Sequence, residues 1–291
     1  MNHTIQTLLI LGCGYVGEKL AAACLRQGIQ IIATTRSEKR AEALRVMGID
    51  AVVVDSPALL SDDTLQQCDA ILDSIPLSRH EEGMHASQVD WLSVITPKLN
   101  NLAWAGYLST TGVYGDAEGA WVDELYPCKP TSERGRQRLV AEKAWLDSHL
   151  PAEIFRLAGI YGPERNIVPR LKAGGYKAVK WNPSHFSSRI HVDDIVMALV
   201  VAMTSPRQGR IVNLADDEPC PHVDYVTEFA KLIGAPAPQV LTPEEGEQEL
   251  SAAMLDFFRD NKRVSNRLLH RELLPRLNYP GFKDAVEGLD V

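Results

Sequence analysis

Over the first 160 residues, short apolar runs alternate with stretches of helical spacing. Thr7 to Leu11 reads as a buried strand. GCGYVG follows, then Glu18 to Arg26 with apolar positions three and four apart, stopped by Gly28. Ile29 to Thr34 predicts a second strand, Glu38 to Met47 a helix ended by Gly48, and Ala51 to Val54 a third strand. Ala70 to Ile75, Ala105 to Ser109 and Glu153 to Leu157 give three more strands, separated by helices at Ala86 to Leu99 and Ser132 to Ser148. Strands that are apolar along their whole length suit a sheet covered on both faces. The alternation therefore predicts an α/β fold, a doubly wound parallel Rossmann sheet.

Beyond Leu157 the rhythm breaks. Pro163, Pro169, Gly174, Gly175 and Pro183 divide the chain into short pieces, before a helix at Val192 to Thr204 and a strand at Ile211 to Ala215. Prolines then recur to position 280 among short helices such as Val223 to Ile233. This predicts a Rossmann domain over 1–157 and 190–215, with a smaller C-terminal substrate lobe over 158–189 and 216–291.

Composition removes several classes. Thirty Lys and Arg against 38 Asp and Glu give a net charge of -8, the wrong sign for a protein that holds nucleic acid by its phosphates. A 45% hydrophobic and 23% charged content rules out a disordered chain. The 5 cysteines are scattered and form no CxxC pair, which argues against a disulfide framework or a zinc ribbon. The longest apolar run, Ile195 to Met203, is too short to span a bilayer. The ILGC at Ile10 to Cys13 follows no Lys or Arg, so it does not read as a lipoprotein signal. A cytoplasmic protein beginning directly with a strand is expected, with a small-molecule partner and neither nucleic acid nor membrane.

Gly12, Gly14 and Gly17 form G-x-G-x-x-G between a strand and a helix, the context in which the motif predicts a dinucleotide site. The first glycine allows the turn, the second admits a pyrophosphate, and the third lets helix and strand pack. Tyr15 and Val16 lie at the helix start, where amides face anions. An NAD site usually places a carboxylate at the end of the second strand, about 20 residues on. Here that stretch is Thr34-Thr35-Arg36-Ser37. A guanidinium can fork onto a 2′-phosphate that a carboxylate would repel, so NADP is favoured over NAD. The bland reading is a solvated arginine opening a helix.

Several separated stretches resemble the extended short-chain dehydrogenase/reductase family, the NAD(P)-dependent epimerases and dehydratases. They are the glycine-rich start, LSTTGVYGD at 108–116, KPTSERGRQRLVAEKAWL at 129–146, FRLAGIYGP at 155–163 and RIHVDDIVMAL at 189–199. The resemblance implies that Thr110 hydrogen-bonds the reacting oxygen and that Asp55 lies by the adenine. It also implies that Ser74, Ile75 and Pro76 lie by the pyrophosphate and ribose, and that Leu157, Ala158 and Gly159 pass the nicotinamide. The family's Tyr-x-x-x-Lys falls on Arg134 and Arg138. An arginine keeps its proton under all protein conditions, so Arg134 can clamp an anion but cannot shuttle a proton. Arg138 can still donate to ribose hydroxyls, and Glu142, four residues on, is placed to neutralise it.

If the chain is catalytic, another acid has to stand in. Tyr114, Tyr161 and His191 lie in the family-like segments, each with a structural reading as well. His191 with Asp193 and Asp194 is better explained by capping than by a metal. The resemblance also implies a homodimer through the helices at 86–99 and 132–148, where Trp91, Val94 and Ile95 suit an apolar seam or pack on the sheet. Two functions remain open. One is an NADP(H)-dependent oxidoreductase or epimerase-like enzyme acting on a small polar or nucleotide-sugar substrate; the other is a non-catalytic NADP(H) sensor.

Overall fold

A computed structural model describes residues 5–81, 83–99 and 101–286, so the predicted outer bounds at 1 and 291 lie outside the described residues. Seven strands form one sheet: β1 (Thr7–Leu11), β2 (Gln30–Thr35), β3 (Asp50–Val53), β4 (Ala70–Asp73), β5 (Trp104–Thr110), β6 (Ala152–Leu157) and β7 (Ile211–Leu214). They are parallel and lie in the order β3-β2-β1-β4-β5-β6-β7. The order reverses between β1 and β4, which pair from Leu8 with Ala70 to Leu11 with Asp73. This switch point is where an open α/β sheet receives a ligand.

The crossover helices are α1 (Tyr15–Leu25), α2 (Glu38–Val46), α3 (Gln88–Ile95), α4 (Glu133–Asp147) and α5 (Val192–Thr204). Helix α2 starts where Ser37 Oγ accepts the Arg40 amide. Gly28 and Gly48, at φ 79° and 84°, turn the chain out of α1 and α2 in the left-handed conformation that favours glycine. The expected helix at 86–99 is shorter, because Pro97 forces its last turn into a 3₁₀ segment, Thr96–Lys98. A small hairpin, Ser78–His80 with Gly83–His85, precedes it. No period-two pattern announces that hairpin.

The chain divides into two compact units. The first comprises Met1–Thr110, Arg136–Arg156 and Ile195–Val212, and the second Thr111–Gly135, Leu157–Asp194 and Asn213–Val291. The core of the first gathers Leu9, Leu11, Ile71, Trp91, Ile95, Tyr107, Trp145 and Ile154, with the Trp91 and Trp145 rings edge to face at 5.9 Å. Trp91 and Ile95 thus pack on the sheet, whereas Val89 and Val94 of α3 and Val140 and Leu146 of α4 are exposed.

In the second unit, Gly159–Tyr161 pairs with Arg189–His191 and Lys177–Val179 with Gln239–Leu241, both parallel. Helix α6 (His222–Leu232) brings Val226 and Phe229 against Leu171 and Phe282. Thr111–Gly135, which the sequence reading placed in the Rossmann domain, clusters with this unit. The reason is local: the amides of Ala117 and Gly119 bond the Asn261 carbonyl, Lys262 Nζ bonds the Gly115 carbonyl, and Trp121–Val122 pairs with Arg263–Val264. No helix among the described residues is long and apolar enough to cross a membrane.

Candidate functional site

The three glycines of the β1–α1 turn meet three different surroundings. Gly12 has φ 74°, and a Cβ there would lie 3.0 Å from Ile75 Cγ1 and 3.1 Å from its Cα, so the turn presses against the chain leaving β4. A Cβ on Gly17 would lie 3.1 Å from Ile10 Cγ2, the close helix-to-strand contact. At Gly14 a Cβ would meet nothing within 4 Å. The open space thus lies over the start of α1, whose N-cap Gly14 offers no capping side chain. A helix start leaves its first-turn amides without intrahelical acceptors and carries a partial positive charge. Those features fit a dinucleotide's pyrophosphate, with Val16 and Gly17 in the first turn.

The turn itself is held from β2. Thr34 Oγ1 accepts the Gly12 amide at 3.0 Å, and the Thr34 carbonyl accepts the Cys13 amide at 3.2 Å. Just beyond, the Thr35 hydroxyl accepts the Ser37 amide at 3.3 Å, and the Ser37 hydroxyl is engaged in capping α2. Arg36 between them is exposed and pairs with none of the described residues. Arg40, one turn into α2, forms an ion pair with Glu18 and approaches the Cys13 carbonyl at 3.5 Å. Glu18 is the acidic residue in the first turn of α1. Its pairing with Arg40 offsets a negative charge that would oppose phosphate there.

Ser74, Ile75 and Pro76 leave β4 beside this turn, the Ser74 amide bonding the Leu11 carbonyl at 2.9 Å. Asp73 fixes that exit from inside. Its Oδ1 accepts the Ile75 amide at 2.9 Å, and its Oδ2 accepts Gln88 Nε2 and Trp145 Nε1 at 2.9 and 2.8 Å. Complete burial raises its pKa, against the pull of these bonds and of Arg138. Arg138, half-buried on α4, donates from Nη1 to Tyr107 Oη at 2.9 Å, to the Leu108 carbonyl at 3.3 Å and to the Ile75 carbonyl at 3.5 Å. The guanidinium is thereby pinned between the ends of β4 and β5. Thr110 is half-buried at the end of β5, and Asp55 is exposed just past β3. All of these residues belong to the first unit.

A family model described as the NAD dependent epimerase/dehydratase family matches residues 8–215. The chain belongs to that family. It is 30% identical over 250 residues to the protein YeeZ of Escherichia coli K12, a match covering 81% of this chain and 86% of YeeZ. It is 26% identical over 307 residues to a 3-diazoavenalumate denitrifying reductase from a Streptomyces species, covering 97% of this chain and 99% of the reductase. A solved structure of a functionally unknown conserved protein from Silicibacter pomeroyi superposes with a TM-score of 0.87 at 36% identity, covering 97% of each chain.

For this epimerase/dehydratase family member, the second unit shows what the remaining candidates touch. Tyr114 is fully buried, its hydroxyl donating to Asn213 Oδ1 at 2.6 Å. Tyr161 donates to the Gly281 carbonyl at 3.4 Å, and burial pushes its pKa far up. His191 is 2% exposed, accepts the Asp193 amide at Nδ1 and stacks on Tyr279 with ring centroids 3.7 Å apart. Asp194 accepts the amides of Asn278 and Tyr279. Each of these polar atoms is engaged in holding the unit together. Arg134 is exposed near the start of α4, and Leu157 is buried at the end of β6.

One expectation is corrected. Glu142 does not neutralise Arg138: it turns to β5 and β6, accepting Ser109 Oγ at 2.5 Å and Arg156 Nη2 at 2.8 Å in a fully buried cluster. A buried carboxylate needs that bidentate partner more than a half-exposed guanidinium does. The sequence reading also passed over Thr34, Arg40, Asp73 and Tyr107. Thr34 closes the second predicted strand and Arg40 lies in the predicted helix at Glu38 to Met47, and nothing in their local spacing marks either. The one available signal for Asp73 was a carboxylate closing an apolar strand.

Proposed function

We propose that the protein binds NADP(H) and exchanges hydride with a small polar, anionic substrate. The carrying observation is the pair formed by an open Gly14 and an unpaired, exposed Arg36 at the end of β2, where no carboxylate stands. The first-turn amides of α1 would hold the pyrophosphate, Arg36 the 2′-phosphate, and Ser74 to Pro76 with Arg138 the ribose side. Asp55 stands toward the adenine, and Leu157 toward the nicotinamide. When bound, the dinucleotide supplies the hydride donor or acceptor.

What the chain's own residues then do is orient and neutralise. Thr110 offers a hydroxyl to the reacting oxygen, and Arg138 presents fixed charge from the ends of β4 and β5. Arg134, exposed on α4, acts as an anion clamp. Neither arginine gives up a proton, so the proton at the reacting oxygen comes from solvent or from the substrate itself. The Streptomyces relative is named a reductase, which supports this class of reaction. Exposed Val89, Val94, Val140 and Leu146 on α3 and α4 support a homodimer through those helices.

A second reading, a dinucleotide-sensing protein without turnover, is favoured by the arginines at both positions of the family's Tyr-x-x-x-Lys. Titration with NADPH and NADH, followed by assays of NADPH oxidation across keto acids, unsaturated acids, aldehydes and sugar nucleotides, separates the two. Tight NADPH binding with turnover of an anionic substrate supports the enzyme. Tight binding with no oxidation supports the sensor, and failure to bind either dinucleotide overturns both.

A further inference from the structure

The second unit contains a buried cation with no acidic partner at contact distance. Arg189 is 6% exposed, yet no carboxylate among the described residues lies within 4.0 Å of its guanidinium nitrogens. Its Nη2 donates to Ser187 Oγ at 2.6 Å, and its Nη1 points to the Ser187 carbonyl and Cys220 Sγ at 3.4 and 3.5 Å. All three acceptors are neutral. A guanidinium carries five N–H donors, so Nε and part of Nη2 remain for another acceptor. The Tyr225 ring lies against it, 3.5 Å from guanidinium carbon to centroid. Asp216 is near enough to feel this charge, but burial raises its pKa to about 7 and it makes no ion pair with Arg189. The guanidinium thus has only neutral side-chain and carbonyl acceptors at hydrogen-bond distance among the described residues. His222 beside it is held down to about 3, by burial first and then by Arg189, His185 and Arg170.

Flat rings continue from this cation toward solvent. His222 lies 6.2 Å from Tyr225, 5.8 Å from Phe257 and 5.4 Å from Phe258, and Phe257 is 50% exposed. Phe258 in turn approaches Trp181 at 5.4 Å. Such a wall favours stacking, while one buried guanidinium matches a single carboxylate better than a diphosphate.

We propose that this cluster of the second unit is a subsite for a small planar carboxylate, with Arg189 receiving the carboxylate and His222, Phe257 and Phe258 stacking its conjugated body. The inference rests on the reading above, that the chain acts on a small anionic substrate, and narrows that substrate to aromatic or extended unsaturated acids.

The test uses the full chain saturated with NADPH and titrates 2-naphthoate, its neutral isostere 2-naphthamide, and UDP-glucose, following ligand and tryptophan fluorescence. Saturable binding of the acid, at least tenfold tighter than the amide, is expected. Arg189→Gln should abolish that preference, Arg189→Lys should keep part of it, and Phe257→Ala should weaken acid and amide alike by several-fold. Equal affinity for acid and amide in the unmodified chain, or binding of UDP-glucose in place of the acid, would overturn the inference whether or not the Arg189 variants fold. NADPH affinity is read in the same samples. Its loss in the unmodified chain counts against the proposed function, whereas intact NADPH binding with no response to naphthoate counts against this subsite alone.

Discussion

Arg138 Nη1 donates to the Tyr107 hydroxyl at 2.9 Å, so the residue standing where the family carries its lysine is anchored to β5 from within. Burial raises the Tyr107 pKa well above its ordinary value, against the Arg138 charge, and keeps the phenol neutral. The pair therefore fixes a direction for the guanidinium and is no proton relay. In the proposed function, Nε and Nη2 are the donors assigned to the ribose.

Arg138→Met should weaken NADPH binding at least tenfold, about 1.4 kcal/mol, and Arg138→Lys should recover part of the loss. Fluorescence titration of bound NADPH measures both. Unchanged affinity in the methionine variant would place this face of α4 away from the cofactor.

The environments of Gly12 and Gly14 predict opposite phenotypes. Gly14→Ala adds a methyl to open space, so melting temperature should hold within a degree or two while NADPH affinity falls at least tenfold. Gly12→Ala places a side chain at φ 74° against Ile75. It should cost at least about 1–2 kcal/mol of stability before any ligand is added. A Gly14→Ala protein that binds normally would remove the phosphates from that space.

Arg36→Ala is expected to cut NADPH affinity at least tenfold and leave NADH within a factor of two, because only the former carries a 2′-phosphate. The readout is paired calorimetric titration. Equal losses for both cofactors would refute the assignment.

Much of this was legible in the sequence because it rests on local chemistry. Apolar strands, the glycine turn and the helix stops at Gly28 and Gly48 are each written within a few residues. The doubly wound parallel sheet followed from the alternation of strands and helices, whereas its strand order is read from the structure. Illegible features were those created by residues far apart. Asp73 acquires its role from Trp145, 72 positions away, and Glu142 finds Arg156 instead of its helical neighbour Arg138. Helical spacing alone said that Arg138 and Glu142 share a face, but it could not say that a buried arginine on β6 would compete for the carboxylate.

That competition has a cost on removal. Glu142 and Arg156 side chains are both almost wholly buried, at 2% and 4% exposure. Glu142→Ala removes the bidentate carboxylate from a buried guanidinium and should destabilise the fold by about 3–5 kcal/mol. Urea denaturation would show it as a lower midpoint, and a shift below 1 kcal/mol would mean that the pair relaxes into solvent.

Asp216 predicts an unusual pH response. Burial holds its carboxyl up to about 7, well above the ordinary aspartate value of about 3.9. Between those values the folded chain keeps a proton that the unfolded chain has released, so its contribution to stability falls as pH rises from about 4 to about 7 and then levels. The full effect is up to about 4 kcal/mol for three pH units. Asp216→Asn should gain on the unmodified protein at pH 8 and show little gain at pH 4.5, read as the difference in melting temperature. A constant difference across that range would contradict the assignment.

The two amides gathered by Asp194 come from Asn278 and Tyr279, 84 and 85 positions further along. The segment carrying Asn278 and Tyr279 must therefore have been synthesised before that acid, at the mouth of α5, meets its partners. A chain stopped upstream of Asn278 lacks both amides, so the Asp194 carboxylate stays without these two donors.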